Sequence, residues 1–493
     1  MEKPGGISGG ILSSKEVGKY FFSFSVVLLF IIIYGIYKSD LTFYHDSAQY
    51  WNLGKTFVDN NDFSILNYKE PLRGYLLPLC NFFTYLLSTI LHVNEITLFR
   101  ILNSLFIAFF ISVLIPSFFS LLFKKEISLV QNLSFAFLIV FFWRGYFLYP
   151  LSDFPALFFI FAGLYLILLL NKRLESMKIK ILNIVICLVV GICISASTNI
   201  RPTYQITIIP FFLLLFICFY TRDINLRTGI LYTVCTLVGL LICYVPQLYI
   251  NYYNFHIISP FVPTEIAYGG RSLFLNQINW GISLQKYETN IGSNFPQPQI
   301  NFIDNQGLNI LMSENINSIT SIGQYIILLA KYPFDFMCIY FRHFFNGLDI
   351  TYSSAYVENV YKSRIIFSLL NYSLWFLFSS IIIKKLKNFT ENKIKSFMEH
   401  KANSLMGALI YLILVSPAII SIVGAVEIRF FLPFYIICYA TICYYSSFGS
   451  IRQRLRKTQI LDWIALLIFI VICFTLTANT FSNLQNGIML LGN

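Results

Sequence analysis

Apolar residues run along this chain in stretches of roughly twenty, and a helix of that length crosses a hydrocarbon layer about 30 Å thick. The stretches are Gly18 to Lys38, Leu98 to Phe123, Ser128 to Leu148, Phe154 to Leu170, Lys180 to Ser197, Tyr204 to Tyr220, Arg227 to Tyr249, Arg364 to Ile383, Ser404 to Gly424, Phe430 to Ser447 and Leu461 to Thr477. Helices satisfy every backbone group within one segment, as lipid demands. A membrane barrel would show segments of about ten residues alternating apolar and polar, and no such alternation is found. The pattern predicts an all-α polytopic membrane protein with about eleven transmembrane helices, twelve or thirteen being the alternatives, and with extracytoplasmic interfacial helices.

The count turns on Pro71 to His92, which contains Arg73, Pro78, Asn81 and His92. Leu98 to Phe123 is longer and more uniformly apolar, so the earlier segment is expected to lie along the outer face or to be re-entrant. With a cytoplasmic amino terminus, the cationic clusters Lys124 with Lys125, Lys172 to Lys180, Arg222 with Arg227, Lys384 to Lys401 and Arg452 to Lys457 then share the cytoplasmic side. A further crossing in that interval would strand Lys124 and Lys125 outside. The first crossing follows Lys15 and Lys19 without a small-residue cleavage motif, so it reads as a retained signal-anchor.

Four regions follow. Residues 1–17 form a flexible cytoplasmic start containing the Gly5 to Gly10 run. Residues 18–249 form an amino-terminal transmembrane module that includes a first outer loop over 39–97. Residues 250–363 form a large extracytoplasmic section, too long for an ordinary connector, with an aromatic segment from Tyr325 to Phe345 expected at the membrane interface. Residues 364–493 form the carboxy-terminal transmembrane module. No sustained internal repeat is visible.

Composition narrows the class. The 493 residues are 57% hydrophobic and 12% charged, whereas about a quarter of a soluble domain is charged. The net charge of +12 resides mainly in short connections, which fits orientation in a membrane and argues against nucleic acid as a partner. The cysteines from Cys80 to Cys473 form no CxxC pair and read as small apolar residues, not as a disulfide framework or zinc site. No His/Glu cluster has metal-ligand spacing, and no cofactor is implied.

Candidate chemistry gathers on the outer face. Asp46 follows Tyr44 and His45 at the start of an amphipathic segment with Tyr50, Trp51, Leu53, Gly54, Phe57 and Val58 on one side. It is either a helix cap or a reactive carboxylate. Asp153, in Ser152-Asp153-Phe154-Pro155, has the same two readings. Arg201 and the pair Glu427 and Arg429 are interfacial anchors, mutually neutralising charges, or an anion site. His45, His92, His256 and His343 read as structural or interfacial. An outer carboxylate would accept the proton of an acceptor hydroxyl, worth about 10² to 10⁴ in rate, while arginines hold the phosphate of a lipid-linked donor.

These landmarks, together with Ile200-Arg201-Pro202-Thr203, Val245-Pro246-Gln247 with Asn251, and Glu427-Ile428-Arg429-Phe430-Phe431-Leu432-Pro433, resemble the C-type (GT-C) multi-pass glycosyltransferases, especially relatives of protein O-mannosyltransferases and aminoarabinose transferases. The resemblance implies a GT-C-like fold, an extracytoplasmic active site in a bacterial cytoplasmic (inner) membrane and a polyprenyl-phosphate-linked sugar donor. It implies Asp46 as general base, Asp153 as a second acid orienting acceptor or sugar, and Arg201, Glu427 and Arg429 near the donor phosphate. His45, Arg73, Arg144 and Arg271 are further candidate contacts to acceptor or loop. Ser47 follows Asp46 where the O-mannosyltransferase pattern has an acidic pair, which shifts the expected acceptor from protein to a surface glycan or lipid, such as O-antigen or lipopolysaccharide. Competing readings are a polysaccharide polymerase or ligase using a polyprenyl-diphosphate donor, with Arg271 and Arg342 contributing, and a glycan flippase or transporter, which would show paired repeats or broken helices near the midplane.

Overall fold

A computed structural model describes residues 14–38, 42–60, 62–174, 181–362, 364–392, 401–445 and 460–484. The Gly5 to Gly10 run, residues 175–180 of the Lys172 to Lys180 cluster, residues 393–400 of the Lys384 to Lys401 cluster, and all of Arg452 to Lys457 lie outside them. Among the described residues eleven helices are long and apolar enough to cross a membrane, and each overlaps one of the eleven stretches read from the sequence. The protein is an all-α polytopic membrane protein. The count becomes twelve if Ile322–Lys331 and Pro333–Leu348, bent by 107°, are taken as one broken span. Leu76–Leu91 is apolar but has only 16 residues, which rise about 24 Å and fall short of the hydrocarbon layer.

Apolar burial drives little association between helices in lipid, so the bundle must be held by close backbone approach, side-chain interlock and internal hydrogen bonds. Ile181–Ile200 and Leu226–Phe255 show the first. A Cβ on Gly191 would stand 2.0 Å from the Thr236 carbonyl, and one on Gly239 would stand 1.9 Å from that of Leu188. Only hydrogen fits at either place. The second is aromatic: Phe161 meets Phe110, Phe118 and Phe119 with ring centroids 5.1–6.0 Å apart.

The third appears where Glu95–Phe123 carries a proline. Pro116 has no N–H and its ring crowds the carbonyl four residues back, and the helix widens into a π turn over Phe110–Leu114. The carbonyl thus released, on Ser112, accepts a hydrogen bond from Asn132 Nδ2 at 3.1 Å. The Pro116 carbonyl accepts another from the Tyr444 hydroxyl at 2.6 Å. One irregular turn therefore ties together helices from the amino-terminal and carboxy-terminal sections, and the two sections share one apolar core.

The ends of the bundle differ in charge. At one end Lys19 Nζ donates to the Ile127 carbonyl (2.9 Å), Lys125 Nζ donates to the Tyr444 carbonyl, and Lys385 lies over the Tyr445 ring. Arg222 Nε donates to Asn171 Oδ1 at 2.9 Å, and Arg173 Nε to Asn183 Oδ1 at 3.2 Å. The described members of four cationic clusters thus lie at the ends of helices remote from the turns that carry Asp153, Arg201 and Glu427.

At the opposite end the long section beginning at Ile250 folds around its own small core, in which Ile278, Ile282, Ile310, Leu328, Phe336 and Ile339 are buried. The expected aromatic segment is the bent helix pair. Its inner face buries Tyr325, Leu328, Phe336 and His343, while Ile326, Ile327, Phe334, Met337 and Phe341 are exposed on the other. The sequence pattern did not predict the three-stranded sheet beside it, in which Leu284–Asn290 is central, Gln299–Ile303 antiparallel and Tyr356–Val357 parallel to it. The amphipathic helix after His45 also stops earlier than expected. It spans His45–Lys55 and buries Tyr50, Trp51 and Gly54. Phe57 is buried beyond its end, and Val58 is exposed in a two-residue strand paired with Asp62–Phe63.

Candidate active site

Five separate turns and helix ends bring charge to one place: the start of His45–Lys55, the Pro71–Tyr75 turn, the Ser152/Asp153 and Arg201/Pro202 helix ends, and the Val426–Arg429 turn. The position of the Arg73 turn depends on Gly74. A Cβ there would stand 1.9 Å from the Asn199 carbonyl, so Gly74 alone lets the turn close onto the end of Ile181–Ile200. Asn199 then accepts from the Leu76 amide at 3.0 Å and donates to Gln247 Oε1 at 2.8 Å. Gln247 donates to Asn251 Oδ1 at 2.8 Å, and Asn251 Nδ2 donates to the carbonyls of Ser259 and Phe261. The Val245-Pro246-Gln247 and Asn251 landmarks thus hold backbone in place and make no direct contact with the charges.

Asp46 is not an ordinary helix cap. Tyr44 precedes the helix, and its amide donates to the Ser47 hydroxyl oxygen at 3.0 Å. The Asp46 carboxylate instead faces two arginines: Arg73 Nη2 donates to Oδ1 at 2.7 Å and Arg429 Nη2 to Oδ2 at 2.9 Å. Arg73 also donates to Gln49 Oε1 at 3.1 Å and to the Tyr50 hydroxyl at 3.2 Å, with its guanidinium 4.7 Å above the Tyr50 ring. Arg429 further donates to Glu427 Oε1 at 2.8 Å. Behind it, Arg201 donates to Asp153 Oδ1, and Arg429 Nη1 lies 3.9 Å from Asp153 Oδ2. Arg201 also stacks over Phe430, 4.7 Å from the ring centre.

Burial pushes the Asp46 carboxyl upward, but Arg429 and Arg73 outweigh it and hold the group well below the usual carboxylate range. Burial draws the Arg73 guanidinium down, and Tyr50 and Asp46 more than reverse this. The Tyr287 phenol, facing the same space, is pushed far up by burial and then by Glu427, so it stays a neutral donor.

A cavity of ≈ 1010 Å³ opens beside this network, with His45, Asp46, Arg73, Arg201, Glu427 and Arg429 in its wall. Small-molecule sites usually span about 300–1,000 Å³, so this one stands at the upper end of that range. Asp46 borders the cavity. Asp153, 2% exposed, stands behind Arg201 and Arg429. Its Oδ2 has no hydrogen-bond partner among the described residues.

The structure brings together seven of the nine sequence candidates. His45 is one of them, with Nε2 3.3 Å from the Asn290 carbonyl oxygen and its backbone at φ 44°. Arg144 lies apart, against the rings of Tyr34 and Phe141. Arg271 is exposed and borders no part of the cavity. Arg342 is tied to Asp304 at 2.7 and 2.8 Å. The structural reading of three histidines stands on geometry: His92 and His256 end helices in left-handed backbone, and both His343 ring nitrogens meet backbone carbonyls. Gln49 went unnoticed in the sequence and Tyr50 was read only as part of the apolar helix face, although three and four residues after Asp46 place them beside it on the helix.

No family model matches the chain, no curated protein matches it, and no solved structure matches it.

Proposed function

We propose that the protein is a membrane glycosyltransferase that moves a sugar from a polyprenyl-phosphate-linked donor to a hydroxyl of a surface glycan or lipid. The site would face the extracytoplasmic side of a bacterial cytoplasmic membrane, with the cationic helix ends cytoplasmic as the positive-inside pattern requires. One observation carries the reading: the Asp46 carboxylate is clamped between Arg73 and Arg429 on the wall of a large cavity at the end of the bundle away from those cations.

The clamp limits what Asp46 does at rest. A carboxylate held this far below its ordinary range accepts protons poorly. A donor phosphate is a competing anion with the same affinity for planar, bidentate guanidinium groups. As it draws Arg73 and Arg429 towards itself, Asp46 loses compensating positive charge and gains a negative neighbour. Both changes raise its proton affinity. Donor binding thereby converts Asp46 from ion-pair partner to general base.

In the chemical step Asp46 takes the acceptor's O–H proton as the acceptor oxygen bonds to the anomeric carbon. The bond from that carbon to the phosphate oxygen breaks, and its electron pair leaves on the polyprenyl phosphate. Arg73, Arg201 and Arg429 stabilise that developing charge, a role worth about 3–4 kcal/mol for one well-placed donor. Asp153 keeps Arg201 and Arg429 in register from behind, and Glu427 limits the travel of Arg429.

The diphosphate-donor alternative loses the support of Arg342, which is engaged with Asp304. A transporter would place charge near the midplane of broken helices, whereas these charges stand at helix ends. The experiment is sugar transfer from a synthetic polyprenyl-phosphate hexose to membrane acceptors. Transfer by wild type and its loss in Asp46→Asn support the reading; transfer unchanged in a correctly inserted Asp46→Asn protein removes the proposed base.

A further inference from the structure

The cavity has two chemically different walls. Its five charged residues, Asp46, Arg73, Arg201, Glu427 and Arg429, belong to the network already described. Another part of the wall, adjoining the Val426–Arg429 turn through the Tyr287 amide, comes from the Leu273–Ser283 helix and the antiparallel pair Leu284–Asn290 and Gln299–Ile303. Phe274, Gln277 and Trp280 recur every three residues and share a helical face. Tyr287 is opposite Asn301 and Thr289 opposite Gln299 in the strand register. Two-residue spacing along each strand puts these four side chains on one face of the sheet, and all four border the cavity.

The side chains of Gln277, Thr289, Gln299 and Asn301 make no hydrogen bond to other described residues. A buried amide ordinarily has a partner, yet Asn301 is 8% exposed and borders the open space of the cavity. Each primary amide supplies two N–H donors and a carbonyl acceptor, and threonine both donates and accepts. Aromatic rings of Trp280 and Phe274 add apolar faces with negative potential. Sugars match this combination: vicinal hydroxyls donate and accept, and the C–H faces of the ring are apolar with slightly positive hydrogens. An anionic ligand finds no counter-charge on this wall.

The geometry points to a binding subsite for a neutral carbohydrate between the Phe274–Trp280 helix face and the Tyr287–Asn301 sheet face. In the transfer reading, on which the role as acceptor rests, this subsite presents a sugar hydroxyl to Asp46. The acceptor is a neutral glycan, free or carried on a lipid, and the specificity of the reaction for its acceptor is set here.

The test uses the full chain in lipid nanodiscs. The probes are soluble neutral oligosaccharides of hexoses and N-acetylhexosamines, uronic-acid oligosaccharides, serine-rich peptides and, separately, farnesyl phosphate. The same neutral glycans attached to a lipid and built into the nanodisc distinguish a membrane-anchored source from a soluble one. Wild type is expected to bind neutral glycans; Trp280→Ala and Gln299→Ala each weaken this by about tenfold, as expected for loss of a stacking face or a hydrogen bond. Trp280→Phe restores most of the affinity, and farnesyl phosphate binds all variants equally. Gln299 is exposed, so its variant folds even if a change at Trp280 disturbs packing. The proposal is overturned if no neutral glycan binds at millimolar concentration, if the variants bind like wild type, or if acidic glycans or peptides bind in preference. Glycan binding without farnesyl phosphate binding would leave this subsite standing and remove the transfer reading, and the converse would do the opposite.

Discussion

Arg429 Nη2 lies 2.9 Å from Asp46 Oδ2, although 383 residues separate the two in the chain. The contact joins the His45–Lys55 helix to the Val426–Arg429 turn, and it sets the resting state of the site. Removing one charge from such a pair leaves the other uncompensated, so the pair is better probed by neutral isosteres than by truncation.

Asp46→Asn is expected to lower sugar transfer by about 10² to 10⁴, the usual contribution of a positioned base. Arg73 and Arg429 lose an internal competitor, so donor affinity is expected to rise while turnover falls. Parallel measurement of transfer and donor binding in nanodiscs checks both parts. A fall in both would mean that Asp46 supports the fold of the site instead of taking the proton.

Acid dependence should differ between the free protein and the donor complex. In the free protein Asp46 stays ionised well below the ordinary carboxylate value of about 4, so kcat/KM should show no acid limb from this group near that pH. In the complex the arginines are shared with phosphate and the Asp46 pKa rises, so kcat should fall on acidification at a higher pH than kcat/KM does. Stability follows from the same shift. A folded pKa below the unfolded one contributes stability above about pH 4, lost as pH falls through the folded value. Thermal melts of Asp46→Asn should lack that component.

Gly74→Ala tests the turn that carries Arg73. The added methyl collides with the Asn199 backbone and must displace the turn from the helix end. Donor affinity is expected to fall by about tenfold or more, the equivalent of losing one charge-assisted hydrogen bond, with the apolar bundle intact by circular dichroism. Gly18→Ala, where no atom lies within 4 Å of the added carbon, is the control and should change nothing.

Orientation is tested by cysteine labelling in a Cys80→Ser/Cys338→Ser background, which removes the two exposed native thiols. Asp59→Cys, in the exposed strand that follows the Asp46 helix, should react with an impermeant maleimide from outside intact cells. Asp223→Cys, at the cationic end, should react only after lysis. The reverse result would turn the site towards the cytoplasm.

Much of this was legible in the sequence because lipid imposes a strict length and polarity on each crossing. All eleven apolar stretches correspond to long helices, and Leu76–Leu91 stays out of the count because its 16 residues are too few to cross, whereas the sequence had set it aside for its polar residues. The gathering of Asp46, Arg201, Glu427 and Arg429 was readable as charge at helix ends on one side of the topology. Arg144 was misplaced in company because a position beside a crossing does not say which way a side chain turns, and here aromatic rings capture it. The sheet wall was invisible for a different reason. Tyr287, Thr289, Gln299 and Asn301 are polar alternate residues facing a cavity, while the opposite face buries Ile300 and Phe302 together with the Lys286–Glu288 ion pair. A buried ion pair in one strand breaks the apolar alternation by which strands are recognised.

Occupancy by a polyprenyl-phosphate hexose, read by native mass spectrometry from nanodiscs holding wild type, Arg73→Gln and Asp46→Asn protein, probes the arginine clamp most directly. One bound donor in wild type, about tenfold weaker binding in Arg73→Gln and tighter binding in Asp46→Asn are expected. Equal occupancy across all three proteins would contradict a phosphate site built on Arg73, Asp46 and Arg429.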